Sequence, residues 1–262
     1  RNNGHEIGLV VTAREAPEYA RTSEDFCRLA AECGARFVQT PRLDTPEVSE
    51  AIEDAGGVRL AVSMNYPSII DQETVERFPL GILNAHAGDL PRYRGNACPA
   101  WAIINGEQRV GLCVHRMVGG VLDGGDIVSR AYRPLAIDDR IGELVEWIGR
   151  ETPRLFADAV ARLDDNAGFV LEEQSVTPAD ALRCYPRTPD DARVNWQQTN
   201  EHVLRLINAS SEPFVGAFCS YEGKRLSLWR ARLHVDDENY LAVPGQVASI
   251  SRSDGSVVVI CG

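Results

Sequence analysis

Short apolar runs alternate with amphipathic segments through the first third of the chain, and this alternation limits the folds available to it. Residues 8–12 are apolar and β-branched, as in a buried strand, and residues 21–34 have helical spacing between a capping Thr22 or Ser23 and Gly34. The same order continues with strands at 36–40, 58–63 and 81–84 and with helices at 45–55 and 71–78. Alternating strands and helices are typical of a parallel sheet with helices on both faces. The sequence therefore predicts an α/β fold with a doubly wound parallel sheet, in which ligands bind at the carboxyl ends of the strands.

The later part of the chain has a different character. A strand is expected at 126–130 and a long amphipathic helix at 141–163, which Pro153 should kink or split. Residues 177–191 are rich in Pro, Asp and Arg, which is typical of a linker. Beyond it, a helix at 196–207 precedes four short strand-like segments, at 216–220, 225–231, 246–250 and 257–260. Such a tail predicts a small β-barrel or sandwich.

These patterns divide the chain into two predicted domains. The first covers residues 1–176, the linker covers 177–191, and the β-rich domain covers 192–262. A doubly wound domain usually opens with a strand, a turn and a helix before a strand such as 8–12. We therefore expect the first domain to lack its first strand and helix, as in a trimmed portion of a longer polypeptide.

Composition narrows the possible partners. The net charge of −11 and the pI near 5.0 disfavour a nucleic-acid partner, since phosphate binding depends on Lys and Arg. No apolar run reaches the roughly 18 residues of a membrane helix, and the polar start predicts no signal peptide. The seven cysteines are scattered and odd in number, which predicts reduced thiols rather than a disulfide framework or a zinc site. We expect a cytoplasmic protein without a membrane partner.

Polar residues that can take part in catalysis are concentrated in residues 83–126. Asn84 and His86 are two apart at the end of an apolar run, so an extended chain places both on one face. A Pro-Arg-Tyr-Arg-Gly loop, a helix containing Trp101 and a strand follow, and then a Gly-rich loop with Asp123. This order is typical of a catalytic site at strand ends.

The side chains in this stretch favour transfer to an external nucleophile, because no Ser or Cys nucleophile accompanies them. The Asn84 amide can donate a hydrogen bond to a developing oxyanion, and His86 can stabilise that charge or shuttle a proton. Asp123 can orient the histidine and take a proton from an attacking amine, directly or through water. Nothing in the sequence offers a metal cluster.

Each residue also has a structural interpretation. A lone Asn-x-His pair is more often structural than catalytic, and an Asp in a Gly-rich turn is what turns prefer. Trp101 suits core packing, and His115 in an alternating strand is as compatible with a buried core histidine as with a ligand. Only their order and spacing together distinguish the alternatives.

Several segments in this order closely resemble one enzyme family. They are the Asn84 and His86 pair, Leu-Pro-Arg-Tyr-Arg-Gly at 90–95, the Trp-containing helix end at 101–107, Gly111 at the next strand, and Leu-Asp-Gly-Gly-Asp-Ile at 122–127. Together they resemble the catalytic core of the formyltransferases that use formyl-tetrahydrofolate, which include methionyl-tRNA, glycinamide ribonucleotide and sugar N-formyltransferases. A match of several parts over some forty residues is more specific than any single motif.

The resemblance implies a Rossmann-like catalytic domain, a small OB-like C-terminal domain and a set of site residues. Catalysis would fall to Asn84, His86 and Asp123, with formyl-tetrahydrofolate as cosubstrate and no metal. The implied folate-binding residues are Met64, Asn65, Tyr66, Leu83, Val118, Gly120 and Val121. The implied acceptor-binding residues are Gly88, Asp89, Arg94, Gly95, Asn96 and His115.

Weaker resemblance to the C-terminal barrel domain of the tRNA and sugar enzymes extends through the tail. It involves residues 188–191, 195–196, 213–217 and 244–247. The chain departs from the tRNA enzymes at Gly88 and Asp89, which replace the Ser-Leu that usually follows the histidine. The expected loss of the first strand and helix would also remove part of the nucleotide-side wall.

The acceptor is expected to be a small amine. Residues 190–262 contain nine acidic and seven basic residues, which is not the basic surface of an RNA binder. The wording Asn-Ala-His-Ala-Gly-Asp-Leu-Pro also resembles sugar N-formyltransferases acting on nucleotide-linked 4-amino-deoxy sugars such as GDP-perosamine, in O-antigen or surface-glycan synthesis. Formylation of Met-tRNA, hydrolysis of formyl-tetrahydrofolate and non-catalytic folate binding remain alternatives. By analogy, we expect a homodimer.

Overall fold

The computed structural model describes residues 4–15, 21–175, 177–235 and 240–262. The strands within these ranges are β1 (Leu9–Thr12), β2 (Arg36–Gln39), β3 (Ala61–Met64), β4 (Ile82–His86), β5 (Tyr93–Gly95), β6 (Arg109–Arg116), β7 (Ile127–Pro134), β8 (Leu182–Cys184), β9 (Ala217–Tyr221), β10 (Lys224–Leu228), β11 (Val247–Ile250) and β12 (Val257–Val259). The helices are α1 (Ser23–Cys33), α2 (Pro46–Asp54), α3 (Gln72–Glu76), α4 (Cys98–Ile104), α5 (Ile141–Asp165) and α6 (Asn200–Ser210). The predicted alternation of strands and helices is confirmed through β4.

Side-chain caps define where the helices begin. Thr22 and Asp25 form a reciprocal capping box at α1, and Gly34 ends that helix in the left-handed region at φ 68°. The Thr45 hydroxyl accepts a hydrogen bond from the Val48 amide at α2. These caps explain why the helix starts could be read from the sequence.

The chain forms two compact units that alternate along the sequence. The first comprises Arg1–His86, Cys113–Arg130 and Leu155–Val176. The second comprises Ala87–Leu112, Ala131–Arg154 and Thr177–Gly262. The division therefore runs through β6, β7 and α5, whereas the domains predicted from the sequence are contiguous.

The first unit contains the predicted parallel pairs and one reversed strand. β1 pairs with β2 in parallel, and β3 pairs with β4 in parallel. β4 pairs with β6 in the antiparallel sense, within a sheet of order β3-β4-β6-β7. The sheet is thus mixed, because the chain returns along β4 in the opposite direction. Leu83, Val114 and Val128 are fully buried in it.

In the second unit, the stretch predicted as a linker contains regular structure. Residues 177–191 include β8, which pairs in parallel with β5, and the 3₁₀ turn Pro178–Asp180. Gly95 lies at φ 102°, and a Cβ there would be 2.4 Å from the Cys184 carbonyl oxygen. Only glycine permits this close approach of β5 and β8.

The C-terminal part is β-rich, as predicted, with small differences in boundaries. β9 pairs with β10 and β11 pairs with β12, each in the antiparallel sense. The helix predicted at 196–207 instead begins at Asn200, because the Thr199 side chain caps it by accepting from the His202 amide.

The predicted split of the long helix at Pro153 does not occur. α5 runs without interruption from Ile141 to Asp165 and contains Pro153. Leu144, Leu155 and Leu163 on one face are buried, whereas Pro153 is exposed. Burial of the apolar face holds the helix through a residue that breaks isolated helices.

Candidate active site

The pairing of β4 with β6 places the polar residues of the two strands side by side. Asn84 lies opposite His115 and His86 lies opposite Cys113 in the ladder. His86 is the last residue of β4, as expected for a ligand site at a strand end. His86 and His115 are both buried, and their rings meet edge to face with centroids 6.5 Å apart. The strand register therefore brings two buried histidines and an asparagine together.

Asp123 completes this cluster from the Gly-rich loop. Its Oδ2 is 3.5 Å from His86 Nδ1, and its Oδ1 is 3.6 Å from His115 Nε2. The Asp123 backbone is left-handed, at φ 48°. One carboxylate thus faces both imidazoles in a site that excludes most water, where its interaction with a charged imidazole is strengthened.

His115 Nε2 lies close to both the Asp123 carboxylate and the Asn84 amide, and it is hydrogen-bonded to the amide. His115 Nδ1 is 2.9 Å from the Arg116 carbonyl oxygen, to which it donates. In the neutral ring Nε2 then carries the lone pair, and it accepts from the Asn84 amide at 3.2 Å. This contact orients the Asn84 side chain so that its nitrogen faces the histidine.

Steric constraints fix the backbone of the loop that carries Asp123. A Cβ on Gly125 would lie 1.8 Å from the Arg116 carbonyl oxygen, and a Cβ on Gly119 would lie 2.1 Å from the Gln72 amide nitrogen. Neither position accepts a side chain without movement of the backbone. The glycines are therefore required by close packing at both ends of the loop.

Apart from Leu83 in β4, the residues that the sequence predicts for folate binding lie on two loops that contact each other. One loop follows β3, and the other is the Gly-rich loop between β6 and β7. The Gly120 amide donates to the Ile70 carbonyl at 3.0 Å, and the Gly119 amide donates to Gln72 Oε1 at 2.8 Å. Exposed apolar side chains come from both loops, namely Met64, Val118 and Val121. The Leu83 side chain is instead fully buried in the sheet. Any ligand contact from Leu83 is therefore limited to its backbone.

Tyr66 lines a small cavity beside the first of these loops. Its hydroxyl donates to the Thr40 carbonyl at 2.9 Å, and burial raises the pKa of its phenol. The cavity has a volume of about 290 Å³, and Arg42, Asp44, Ser68 and Asp71 also line it. Asn65, directly before Tyr66, has a left-handed backbone at φ 53°. The apolar side chains of Leu43, Ile69 and Ile70 also line this cavity, so polar and apolar groups both face it.

Among the predicted acceptor residues, only His115 lies in the cluster with Asp123. Gly88, Asp89, Arg94, Gly95 and Asn96 all belong to the second unit. Gly95 and Asn96 contribute to the contact of β5 with β8, since the Asn96 amide donates to the Cys184 carbonyl. Their role in acceptor binding stays a prediction.

Asp89 is held by an arginine in the second unit. Arg109 donates to Asp89 Oδ2 through Nε at 3.3 Å and Nη2 at 3.2 Å. The same guanidinium lies 3.9 Å from the centroid of the Tyr132 ring. Arg109 stacks on the Tyr132 ring and donates two hydrogen bonds to Asp89. These contacts fix the carboxylate that stands where the motif of the tRNA enzymes usually has a leucine.

Sequence reasoning missed Gln174. Its side-chain amide donates to the carbonyls of Asp123 at 2.9 Å and Gly125 at 2.5 Å, and its backbone amide donates to Asp126 Oδ1 at 3.3 Å. Only 7% of Gln174 is exposed. A single glutamine in a polar stretch after a helix carries no motif, so the sequence contained no signal for this contact.

Two further observations concern the described residues. They contain no group of three or more His, Cys, Asp or Glu side chains arranged to hold a metal ion. None of their helices combines the length and apolar character needed to span a lipid bilayer.

Comparison with known families covers most of the chain. The formyl transferase family model matches residues 1–160, and the formyl transferase C-terminal domain matches residues 187–262. The first match includes every residue of the Asn84, His86, His115 and Asp123 cluster. Together, the two matches reproduce the domain order that the sequence resemblance implied.

Solved structures of three kinds share this fold. HypX from Aquifex aeolicus in complex with tetrahydrofolic acid is 20% identical, with a TM-score of 0.63 over 98% of this chain and 42% of that one. A sugar N-formyltransferase from a Shewanella species is 18% identical, with a TM-score of 0.60 over 88% of this chain and 100% of that one. Methionyl-tRNA formyltransferase from Clostridium thermocellum is 18% identical, with a TM-score of 0.58 over 98% of this chain and 100% of that one.

The chain matches these proteins over different shares of their length. The chain spans about two fifths of the HypX chain that it matches, but it covers the whole length of the two formyltransferases. At these identities the likeness shows the shared fold. With a family match over more than half of its residues, the chain belongs to the formyl transferase family.

Proposed function

We propose that the protein transfers a formyl group from formyl-tetrahydrofolate to the amine of a nucleotide-linked 4-amino-deoxy sugar, such as GDP-perosamine. The observation that carries the formyl-transfer part is the buried Asp123 carboxylate beside His86 and His115, with Asn84 on the same sheet. This set contains a hydrogen-bond donor for an oxyanion and a carboxylate that can accept a proton. It contains no Ser or Cys nucleophile.

The two loops that carry Met64, Val118 and Val121 fit a flat ring system. They expose apolar side chains, and they are connected by one backbone hydrogen bond and by one hydrogen bond from a backbone amide to a side chain. The polar cavity at Tyr66 adjoins the first loop. A site that joins apolar surface to a few polar groups is typical of small-molecule binding. When bound, formyl-tetrahydrofolate supplies the formyl carbon that a neutral amine attacks. The structure of HypX with tetrahydrofolic acid, which shares this fold, supports the assignment.

Three side chains have separate roles in this mechanism. The Asn84 amide donates one N–H to His115 and the other to the oxygen of the formyl group, on which negative charge develops as the amine attacks. His86 stabilises that charge or shuttles a proton. Asp123 orients His86 and accepts the proton that the amine nitrogen loses once it has bonded to carbon. The bond between the formyl carbon and the tetrahydrofolate nitrogen then breaks, and that nitrogen takes up the proton as tetrahydrofolate leaves.

The charge of the chain supports a small acceptor. The tail from residue 190 has nine acidic and seven basic residues in a chain of net charge −11. An enzyme that binds tRNA needs a basic surface, because contacts with phosphates provide most of the affinity. Likeness in fold to a sugar N-formyltransferase is compatible with this choice. The product would serve O-antigen or other surface-glycan synthesis in the bacterial cytoplasm.

A screen of nucleotide-linked amino sugars with formyl-tetrahydrofolate tests the proposal. We expect one 4-amino sugar nucleotide to gain the mass of one formyl group, and we expect Asp123→Asn to slow that gain strongly while leaving a measurable rate. Formylation of Met-tRNA without formylation of any sugar would contradict the proposed acceptor. Release of tetrahydrofolate at the same rate without any amine would identify a hydrolase instead.

A further inference from the structure

We propose that Gln174 is a positioning residue that holds the Asp123 loop in its reactive conformation, an inference that rests on the proposed role of Asp123. Gln174 lies in the segment between α5, which ends at Asp165, and β8, far along the sequence from the Gly-rich loop. Its amide N–H groups point at the loop backbone rather than at the reacting side chains. It therefore acts on the carboxylate through the peptide bonds that carry it.

The geometry of the contact is that of a clamp. Gln174 Nε2 donates to the carbonyl of Asp123 and to that of Gly125, at 2.9 and 2.5 Å. The backbone amide of Gln174 donates to the Asp126 side chain at 3.3 Å. Three acceptors within four residues of one loop are thus satisfied by one glutamine. Loss of the side chain would leave the partly buried Asp123 carbonyl and the buried Gly125 carbonyl without this donor.

Asp123 depends on such a clamp for two reasons. Its backbone is left-handed, at φ 48°, a conformation that is less favourable than the helical or extended regions even for Asp, so contacts that hold it contribute to its population. Its carboxylate must also keep the His86 imidazole in reach, and the distance from Oδ2 to Nδ1 is already 3.5 Å. A small rotation of the Asp123 peptide would remove this interaction. The clamp fixes the peptide at the carbonyl that such a rotation would move.

The first test compares Gln174→Leu with Asp123→Asn and with the double variant, by steady-state kinetics with the formylated amine. We expect Gln174→Leu to lower kcat 10- to 100-fold while the Kd for tetrahydrofolate changes less than threefold. In the Asp123→Asn background the same substitution should have less than a threefold effect, because the group it positions is gone. Gln198→Leu, the same change at an exposed position, is the control.

Additive losses of kcat in the double variant would show that Gln174 acts independently of Asp123 and would overturn the inference, as would an unchanged kcat in Gln174→Leu. Gln174→Glu supplies an independent signature. Its carboxylate cannot donate, so its activity relative to the parent should be low near pH 8. When the introduced carboxyl group is protonated, it has one O–H donor, so the activity relative to the parent should recover at lower pH.

Hydrogen exchange tests the clamp without any acceptor. We expect Gln174→Leu to speed exchange of the amides in residues 117–126 at least fivefold while exchange in α6 stays constant. Unchanged protection of that loop would overturn the inference even if no amine acceptor were found. Conversely, faster exchange together with no transfer to any amine would retain the clamp and reject the proposed function.

Discussion

His115 gives the Asn84 amide a fixed orientation, and this single contact has a chemical consequence. An asparagine side chain can present either oxygen or nitrogen to a ligand. The His115 ring, anchored by its Nδ1 on the Arg116 carbonyl, accepts from Asn84 Nδ2 and so selects one of the two orientations. The nitrogen end, which can stabilise an oxyanion, is thereby placed on the histidine side before any substrate binds.

Removal of this donor should reduce the rate without weakening folate binding. We expect Asn84→Ala to lower kcat about 10²- to 10³-fold, as loss of one preorganised oxyanion donor does, because the interaction develops in the transition state. The Kd for tetrahydrofolate should change little. Steady-state kinetics and titration of tetrahydrofolate check both values, with Asn166→Ala in an exposed turn as control. Equal losses in kcat and in folate affinity would indicate a binding role instead.

Glu107 carries a local network in the second unit. The Tyr93 hydroxyl donates to Glu107 Oε1 at 2.7 Å, Asn105 donates at 3.0 Å, and Arg92 donates at 3.1 Å. Burial raises the pKa of Glu107, but the hydrogen bonds from Tyr93 and Arg92 outweigh that effect and hold the pKa below its ordinary value. The ionised carboxylate therefore stabilises the folded state.

This network should make stability depend on pH. A carboxyl whose pKa is lowered on folding contributes stability above its unfolded pKa and loses it as the pH falls through the folded value. We expect Glu107→Gln to lower the free energy of unfolding by about 1.5–3 kcal/mol near pH 7, the range for hydrogen bonds to a charged group. The difference should shrink below about pH 4, near the ordinary glutamate range. Urea unfolding of both proteins at pH 3–8 measures it, and a pH-independent difference would contradict it.

At the scale of elements, sequence patterns identified most strands and helices because local rules govern them, but they predicted a loop at β5 and a linker at β8. Thr22, Thr45 and Gly34 are capping residues whose effect lies within one helical turn. The direction of β6 and the pairing of β8 with β5 depend on contacts between distant segments, and no local pattern encodes them. Tertiary packing likewise overrode the helix-breaking tendency of Pro153.

The residues of the candidate site also fall into two groups, those that a local sequence motif predicts and those that only the folded structure identifies. Asn84, His86 and Asp123 were identified from an ordered motif, and the structure brings His86 and Asp123 within 3.5 Å. Gln174 was missed because a lone glutamine has no motif, although its contact with the loop is direct. Residues that act through the backbone of another segment are visible only in three dimensions.

The Gly-rich loop should not tolerate a methyl group at Gly125. A Cβ there would lie 1.8 Å from the Arg116 carbonyl oxygen, so Gly125→Ala must displace the loop or β6. We expect a loss of about 3 kcal/mol in the free energy of unfolding, at the upper end for overpacking, and at least a 100-fold loss in kcat. Gly149→Ala, in α5 with no atom near its Cβ, is the matched control and should not destabilise. Wild-type kinetics in Gly125→Ala would show that the loop position is unimportant.

Pro153 should limit the stability of α5. It is exposed inside a continuous helix and cannot donate a backbone hydrogen bond. We expect Pro153→Ala to raise the free energy of unfolding by about 1–3 kcal/mol. Pro46→Ala at the first turn of α2, where proline is well tolerated, should change it by less than about 0.5 kcal/mol. Urea denaturation compares the two, and destabilisation by Pro153→Ala would mean that the proline ring packs favourably.

For the whole molecule, charge and ligand binding set the expected behaviour. The net charge of −11 opposes association with polyanions, whereas the proposed cosubstrate is small. The first unit holds β4 and both loops proposed for folate, one of which is the Gly-rich loop. The site for the formyl donor thus requires three segments, the loop after β3, β4 and the Gly-rich loop, to be folded together.

Tetrahydrofolate should therefore stabilise the folded chain as a whole. A ligand that binds only the folded state at 100 times its Kd adds about 2.7 kcal/mol to the free energy of unfolding. We expect that increase from tetrahydrofolate in urea denaturation of the parent protein and of Asn84→Ala, because the amide acts in catalysis rather than in folate binding. Val121→Asp should lose it, since a charge replaces an exposed apolar side chain on the proposed folate surface. A full increase in Val121→Asp would place the folate elsewhere, and its absence in Asn84→Ala would assign that amide to binding rather than to the transition state.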